Sequence, residues 1–328
     1  MTCRGSTPPP ARLVDYLRLV RLPNVFTAMA DVTMGFVFAQ GALEPLEVFM
    51  CLVAASSLLY SAGMVLNDVF DAAIDLSERP HRPIPSGRIP IARARSLGCC
   101  LVLAGAATGW LAGFAGAPVG AAVWRSGAVA SLLGLVIVLY DGFLKATRLG
   151  PVAMGICRLL NVLLGMSVAE PVSVSGAWHL GGYGFDQWIP AFGIGVYAAG
   201  ITAFARTEAA TSRRGRLAAG AAVMMAGVLI LASVGAPGAQ WTAAGADHHG
   251  GWWLALMAVL ALTILRRCAR AMAVPSPSNV QMAVKHAILS IILLDAAVTL
   301  RVGPWYYGLG ILTLLVPALV LGRWIEST

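Results

Sequence analysis

Apolar stretches of about 20 residues recur along almost the whole chain, separated by short polar segments. Such a stretch is long enough for a helix to cross a bilayer, and none shows the alternating polarity of a membrane β-strand. The pattern therefore predicts an all-α polytopic membrane protein, a bundle of nine to ten transmembrane helices. The predicted spans are 24–42, 46–66, 96–116, 122–140, 151–170, 188–205, 217–235, 252–271, 281–300 and 305–322.

The last two predicted spans leave the number of helices open. Only a short turn at 301–304 separates them, so the final segment is either a tenth span or an interfacial helix. Residues 1–12 are polar and Pro-rich, which predicts a disordered N-terminus. Residues 13–22 have the pattern of an interfacial amphipathic helix, and we expect residues 13–328 to form a single transmembrane domain.

Composition and charge agree with a membrane protein. Of 328 residues, 58% are hydrophobic and 12% are charged, whereas soluble domains carry roughly 25% charged residues. The net charge of +8 could suggest nucleic acid, but the Arg and Lys residues concentrate in alternate loops, so we expect no nucleic-acid partner. The six scattered cysteines show no CxxC spacing and are interpreted as small hydrophobic residues.

The distribution of Arg and Lys also predicts the topology. With both ends in the cytoplasm, twenty of these residues fall in cytoplasmic segments and only Arg125 and Arg301 fall outside. Cytoplasmic loops of membrane proteins carry the excess of positive charge. We therefore expect a multi-pass protein of the cell (inner) membrane, with the polar segment after the second span in the cytoplasm.

That polar segment contains the strongest candidate site. Asn67, Asp68, Asp71 and Asp75 are spaced by three and four residues, which places them on one helical face. Neighbouring carboxylates repel one another, and a cation such as Mg²⁺, which prefers oxygen ligands, would relieve the repulsion. The alternative is a solvated acidic helix end with a capping residue. The preceding apolar run, and the absence of Lys or Arg between the acids, favour the metal site.

Basic residues follow this motif and recur after the fourth span. The loop 79–88 is stiffened by three prolines, and Arg82 within it is a candidate phosphate ligand. The alternative for Arg82 is ordinary cytoplasmic positive charge. Lys145, just beyond the fourth span, either contacts a phosphate or extends to lipid head groups.

Ionisable residues inside a span are functional candidates, because an unpaired charge in the membrane is costly. Arg158 and Asn161 share one face of the fifth span, and the guanidinium of Arg158 requires an anionic partner, either a carboxylate or a bound ligand. Asp31 and Asp295 also lie within spans, where a structural role is favoured: pairing with Arg158 or hydrogen bonding between helices. After the sixth span, Arg206 and Glu208 offer one base and one acid, or simply an ordinary helix end.

The motif NDVFDAAID at 67–75, followed by RPHRPIPSGRI at 79–89, resembles the first aspartate-rich motif of the UbiA superfamily of intramembrane prenyltransferases. The segment 140–145 after the fourth span matches another motif of that family. The resemblance covers essentially the whole chain, and segments 204–209 and 294–296 are most similar to the EboC-like branch. It implies a helical bundle around a central cavity that opens to the cytoplasmic side.

The resemblance also implies a reaction, the transfer of a prenyl group from a polyprenyl diphosphate to an acceptor. The isoprenoid tail would lie in an apolar tunnel between helices that opens to membrane lipid. The implied partners are a prenyl diphosphate, an unidentified small or lipid acceptor, membrane lipid and pathway partner proteins. The implied Mg²⁺ ligands are Asn67, Asp68, Asp71 and Asp75. The implied catalytic residues are Asp68, Asp71, Asp75 and Arg158. The implied substrate-binding residues are Asn67, Arg82, Lys145, Asn161, Arg206 and Glu208.

One segment departs from the family pattern. The family's second motif is DxxxD after the sixth span, where this chain has Ala205-Arg206-Thr207-Glu208-Ala209. Glu208 is the one carboxylate there, and Arg206 can replace the charge of a metal ion with its own. Two alternatives to prenyl transfer therefore remain: an isoprenoid-lipid binding or transport component without catalysis, and a membrane terpene cyclase.

Overall fold

A computed structural model describes residues 12–115, 123–168, 179–206, 213–235 and 250–324. Helices account for nearly all of the regular structure in these ranges, and one short antiparallel hairpin, β1 (His179–Leu180) and β2 (Tyr183–Gly184), precedes α8. The helices are α1 (Leu13–Leu19), α2 (Leu22–Gln40), α3 (Leu46–Phe70), α4 (Ala72–Glu78), α5 (Ile91–Ala115), α6 (Trp124–Leu139), α7 (Gly150–Gly165), α8 (Phe185–Ala205), α9 (Arg214–Ala232), α10 (Gly250–Ala273), α11 (Pro277–Val302), α12 (Trp305–Thr313) and α13 (Leu315–Trp324). A π-helical turn, Tyr140–Leu144, extends α6.

The predicted all-α bundle is confirmed. Within the described ranges, nine helical segments are long and apolar enough to cross a membrane, and the apolar α7 is shorter, with 16 residues. The helices α12 and α13 together form one such segment, Trp305–Trp324. The expected disorder of residues 1–12 falls almost wholly on residues outside the described ranges and stays a prediction, as does the single domain.

The core lies between helices that are distant in sequence. One buried cluster joins α2 and α7 to α8, α9, α10 and α11, and a second joins the other sides of α2 and α7 to α3 and α6. Since α2 and α7 contribute to both clusters, they are the centre of the bundle. Many residues on their contact surface are buried within the protein.

Glycines allow α2 and α7 to touch at the backbone. A Cβ atom added at Gly35 would overlap the carbonyl oxygen of Val162, and one added at Gly165 would overlap that of Val32. Small residues at helix contacts are typical of membrane bundles because they permit such close approach. The close contact brings polar side chains of α2 within hydrogen-bonding distance of α7.

The helical path continues past the end of α3 into the short helix α4. The backbone N–H of Asp71 donates to the carbonyl of Asn67 at 2.9 Å, and that of Asp75 donates to the carbonyl of Asp71 at 2.8 Å. Asp71 itself is the residue between the two helices. The acidic motif was predicted to lie on one helical face. The helix is interrupted at Asp71, but α4 continues in approximately the direction of α3.

Candidate active site

A cavity of about 160 Å³ lies between α2, α3, α6 and α7. Its walls combine apolar side chains with polar groups that belong to two separate regions. One region contains Arg21 and Asn67, and the other contains Ser56, Arg158 and Asn161. Asn67 and Ser56 are eleven residues apart on α3, so the two regions are separated by about 16 Å along the helix axis. The remaining wall includes Tyr60, Met64, Leu133, Ile137, Tyr140, Asp141, Met154 and Cys157.

Cations surround the acidic motif near Asn67. Arg82 Nη1 lies 2.8 Å from Asp75 Oδ2 and 3.2 Å from Asp68 Oδ1. Arg21 Nη2 lies 3.0 Å from the same Asp68 oxygen. Asp68, Asp75 and Arg82 are all buried. The stiff loop after α4 thus folds back and places Arg82 between two of the three carboxylates.

Lys145 completes this group from the other side. Its Nζ atom lies 2.6 Å from Asp71 Oδ1 and 3.2 Å from Asn67 Oδ1. Three carboxylates therefore face three cations, and the group has no net charge. We call it the ion-pair cluster; it consists of Arg21, Asn67, Asp68, Asp71, Asp75, Arg82 and Lys145.

The donor chemistry of the ion-pair cluster fits Mg²⁺. Four oxygen-bearing side chains lie within nine residues of sequence, and carboxylate and amide oxygens are the protein ligands that Mg²⁺ prefers. Among the described residues, however, no group of three His, Cys, Asp or Glu side chains is arranged as a metal site. Each carboxylate is paired with Arg or Lys instead. Metal binding therefore requires the carboxylates to exchange these cationic partners for the ion.

Arg158 occupies the second polar region and is tied to α2. Its Nη1 atom donates to Asp31 Oδ2 at 2.8 Å, and its Nη2 atom donates to Thr27 Oγ1 at 2.8 Å. The guanidinium carbon also lies 5.3 Å from the centre of the Tyr60 ring, a cation–π distance. The expectation that Arg158 pairs with an intramembrane carboxylate is confirmed, and Asp31 is that partner.

Asn161 is fixed by hydrogen bonds on the same face of α7. Its Nδ2 atom donates to the carbonyl of Ala28 at 3.0 Å and to Asp31 Oδ2 at 3.1 Å. Its Oδ1 atom accepts a hydrogen bond from Ser56 Oγ at 2.7 Å. Arg158 and Asn161 are thus held by the α2–α7 contact while still lining the cavity.

The structure brings most of the predicted site residues together, but in two groups. Asn67, Asp68, Asp71, Asp75, Arg82 and Lys145 share the ion-pair cluster, whereas Arg158 and Asn161 lie in the other polar region. Arg206 is exposed at the end of α8, where its Nη2 atom donates to the carbonyl oxygen of Thr147, two residues after Lys145. Glu208 lies outside the described residues.

Four residues around the cavity were missed by the sequence interpretation. Arg21 was interpreted as cytoplasmic charge and as part of the interfacial helix 13–22. Asp141 was noticed only as part of the segment 140–145, from which Lys145 was selected. Ser56 and Tyr60 precede Asn67 by eleven and seven residues, the spacing of one helical face. Following that face back from Asn67 along the span would have found both.

Comparison with known proteins places the chain in a family. A sequence model of the UbiA prenyltransferase family matches residues 28–284, more than half of the chain. A solved UbiA homolog from Archaeoglobus fulgidus, bound to GPP and Mg²⁺, superimposes with a TM-score of 0.62 at 13% identity. The superposition covers 91% of this chain and 99% of that one, which shows a shared fold.

Relatives that match part of the chain carry the name digeranylgeranylglyceryl phosphate synthase. The protein from Sulfurisphaera tokodaii is 42% identical over 91 residues, 27% of this chain and 32% of the relative. The protein from Ignicoccus hospitalis is 33% identical over 162 residues, 48% of this chain and 49% of the relative. The chain thus matches only 32% to 49% of the length of these relatives. With the family match and the shared multi-pass helical fold, the chain belongs to the UbiA prenyltransferase family.

Proposed function

We propose that this protein transfers a prenyl group from a polyprenyl diphosphate to a small or lipid acceptor, with Mg²⁺, at the cytoplasmic face of the cell (inner) membrane. The observation that carries the proposal is the cavity between α2, α3, α6 and α7. One region of it adjoins the ion-pair cluster, and its walls are mainly apolar. A diphosphate needs cations and a metal, whereas an isoprenoid tail needs an apolar surface, and this cavity offers both.

The ion-pair cluster would hold the diphosphate. Asn67, Asp68, Asp71 and Asp75 would bind Mg²⁺, which supplies positive charge to the leaving diphosphate oxygens. Arg21, Arg82 and Lys145 would donate hydrogen bonds to other diphosphate oxygens. These donors stabilise the negative charge that develops as the bond between the prenyl C1 atom and the diphosphate oxygen breaks. The diphosphate leaves with the electron pair, and the acceptor forms a bond to C1 and loses its proton.

The rest of the cavity would receive the substrates' carbon skeleton. Leu133, Ile137 and Met154 line it with apolar surface that excludes water from the allylic cation. Arg158 and Asn161 lie on the same wall and are assigned to substrate contact. Arg206, anchored on the Thr147 carbonyl close to Lys145, would add positive charge to the diphosphate site. Glu208 stays a predicted substrate ligand.

The names of the relatives suggest which acceptor to test first. Because they are called digeranylgeranylglyceryl phosphate synthases, an alcohol on a glyceryl phosphate lipid is the first acceptor we propose. Closeness to the EboC-like branch stays a prediction from the sequence, as do pathway partner proteins.

The decisive experiment measures diphosphate release by protein in nanodiscs. Geranyl, farnesyl and geranylgeranyl diphosphates would be offered with Mg²⁺, with and without a glyceryl phosphate lipid or a membrane extract. Asp71→Asn is the site variant, and Glu78→Gln, an exposed acid one turn past Asp75, is the matched control. Release that needs an acceptor and Asp71 would support prenyl transfer. Release without acceptor would instead indicate a terpene cyclase, and saturable binding without release a lipid-binding or transport component.

A further inference from the structure

Asp295 of α11 is a carboxyl group in the middle of the bundle. It is 0% exposed and lies beyond residues 28–284, the part of the chain that matches the family. Among the described residues, neither of its side-chain oxygens receives a hydrogen bond from an N–H or hydroxyl group. A buried carboxylate without a donor is costly. The ionised form of Asp295 therefore does not suit this environment.

The neighbour of Asp295 is Asp31, the partner of Arg158. Asp31 is also 0% exposed, and its side chain lies close to that of Asp295. Asp31 Oδ2 accepts hydrogen bonds from Arg158 and Asn161, whereas Asp31 Oδ1 has no N–H or hydroxyl donor among the described residues. Two buried carboxyl groups therefore lie close together, and three of their four oxygen atoms receive no N–H or hydroxyl donor from the described residues.

The charges of these three residues determine how the contact can be stable. If both carboxyl groups were ionised, they would repel each other, and one Arg158 guanidinium would leave an uncompensated negative charge inside the membrane. One proton on one carboxyl removes both problems, because its O–H then bonds the other carboxylate. Asp31 Oδ2 already accepts two N–H groups, whereas neither oxygen of Asp295 receives one from the described residues. The proton therefore belongs on Asp295.

We infer that Asp295 is a neutral carboxylic acid that donates its O–H to Asp31 Oδ1, and that this acid–carboxylate pair positions Arg158 and Asn161 on the cavity wall. Asp295 is thus a positioning residue on a helix that contributes nothing to the cavity lining itself. A hydrogen bond from Asp295 to Asp31 Oδ1 leaves Asp31 Oδ2 to the two α7 side chains that already donate to it. The positioning role rests on the proposed function, in which Arg158 and Asn161 contact substrate; the proton on Asp295 does not.

Infrared spectroscopy of protein in nanodiscs at neutral pH tests whether Asp295 is protonated. The wild type minus Asp295→Asn difference spectrum should contain the carbonyl stretch of a protonated carboxylic acid. The exposed acid variant Glu47→Gln is the control and should leave that band unchanged. In Asp31→Asn, Asp295 becomes the one counter-ion left to Arg158, so the band should disappear. A difference spectrum without the band, or a band that persists in Asp31→Asn, would overturn the inference.

Binding measurements test the positioning. The amide of Asp295→Asn can still donate to Asp31 Oδ1, so its affinity for geranyl diphosphate with Mg²⁺ should stay within about twofold of wild type, whereas Asp295→Leu, which lacks a donor, should lose about tenfold. Equal affinity of the Leu and Asn variants would overturn the positioning role. Wild-type protein that binds no geranyl diphosphate would overturn the proposed function and the positioning role with it. The infrared result would still decide whether Asp295 is protonated.

Discussion

The Nζ atom of Lys145 lies 2.6 Å from the Oδ1 atom of Asp71. This pair joins the π-helical end of α6 to the residue between α3 and α4. The side chains are 22% and 24% exposed, respectively, whereas those of the Arg82–Asp75 pair are 7% and 3% exposed. Partly exposed ion pairs contribute about 0–1 kcal/mol. The Lys145–Asp71 pair is therefore the part of the ion-pair cluster that a metal and a diphosphate can separate at the lowest cost.

Asp71→Asn should weaken ligand binding while leaving the stability of the fold nearly unchanged. We expect Mg²⁺-dependent pyrophosphate affinity to fall at least about tenfold, since a charged ligand is lost. The free energy of unfolding should change by less than about 1 kcal/mol, because the pair is partly exposed. Isothermal titration calorimetry and denaturant unfolding in detergent measure the two quantities. Glu78→Gln should alter neither, and unchanged affinity in Asp71→Asn would contradict the metal-site assignment.

Mg²⁺ and pyrophosphate should bind with positive coupling. Mg²⁺ alone competes with Arg21, Arg82 and Lys145 for the carboxylates, and pyrophosphate alone competes with the carboxylates for those cations. When both are present, each takes the partners that the other releases. We expect each ligand to raise the affinity of the other by the same factor, at least about tenfold. Calorimetry corrected for the complex in solution measures this factor, and independent binding would argue against the exchange.

Arg206→Ala tests whether this side chain supplies charge to the diphosphate. We expect weaker diphosphate binding that higher Mg²⁺ concentrations do not restore, because the lost charge belongs to the protein. Arg216→Ala, an exposed arginine near the start of α9, is the matched control. Restoration of binding by Mg²⁺ in the Arg206 variant would indicate a second metal site in place of the arginine.

Arg158→Met should be strongly destabilising. It removes the cation that Asp31 faces in the bundle interior while keeping a side chain of similar length. Breaking a buried ion pair by removing one partner costs about 3–5 kcal/mol. Denaturant unfolding in mixed micelles should show a loss of this size, and Arg95→Gln, which changes an exposed residue of α5, should show little. A loss below that of the control would mean that the pair does not stabilise the α2–α7 contact.

Gly165→Ala should push α2 away from α7. The added methyl group would overlap the carbonyl oxygen of Val32, and overpacking of this kind costs about 1–3 kcal/mol. At Gly310, by contrast, a methyl group would meet nothing within 4 Å, and Gly310→Ala should stabilise α12 slightly. Unfolding measurements on the two variants compare the same substitution at a helix contact and on an open surface. Equal stability of the Gly165→Ala and Gly310→Ala variants would show that α2 and α7 can move apart at no cost.

The sequence by itself determined the class of protein and the acidic motif that carries the family resemblance. Long apolar stretches specify membrane helices because each helix satisfies its own backbone hydrogen bonds. The spacing from Asn67 to Asp75 identified the acidic motif, and the resemblance it carries agrees with the family match. These features are local, so they can be read along one segment without knowledge of its neighbours.

Only the tertiary structure decided which charges meet. Arg21 and Asp68 are 47 residues apart in sequence, and Arg158 and Asp31 are 127 apart. Helical spacing fixes the face on which a side chain lies, but the neighbour of that face depends on how whole helices rotate and approach one another. The glycine contact between α2 and α7 sets that approach here, and it brings the intramembrane Arg158 of α7 to Asp31 of α2.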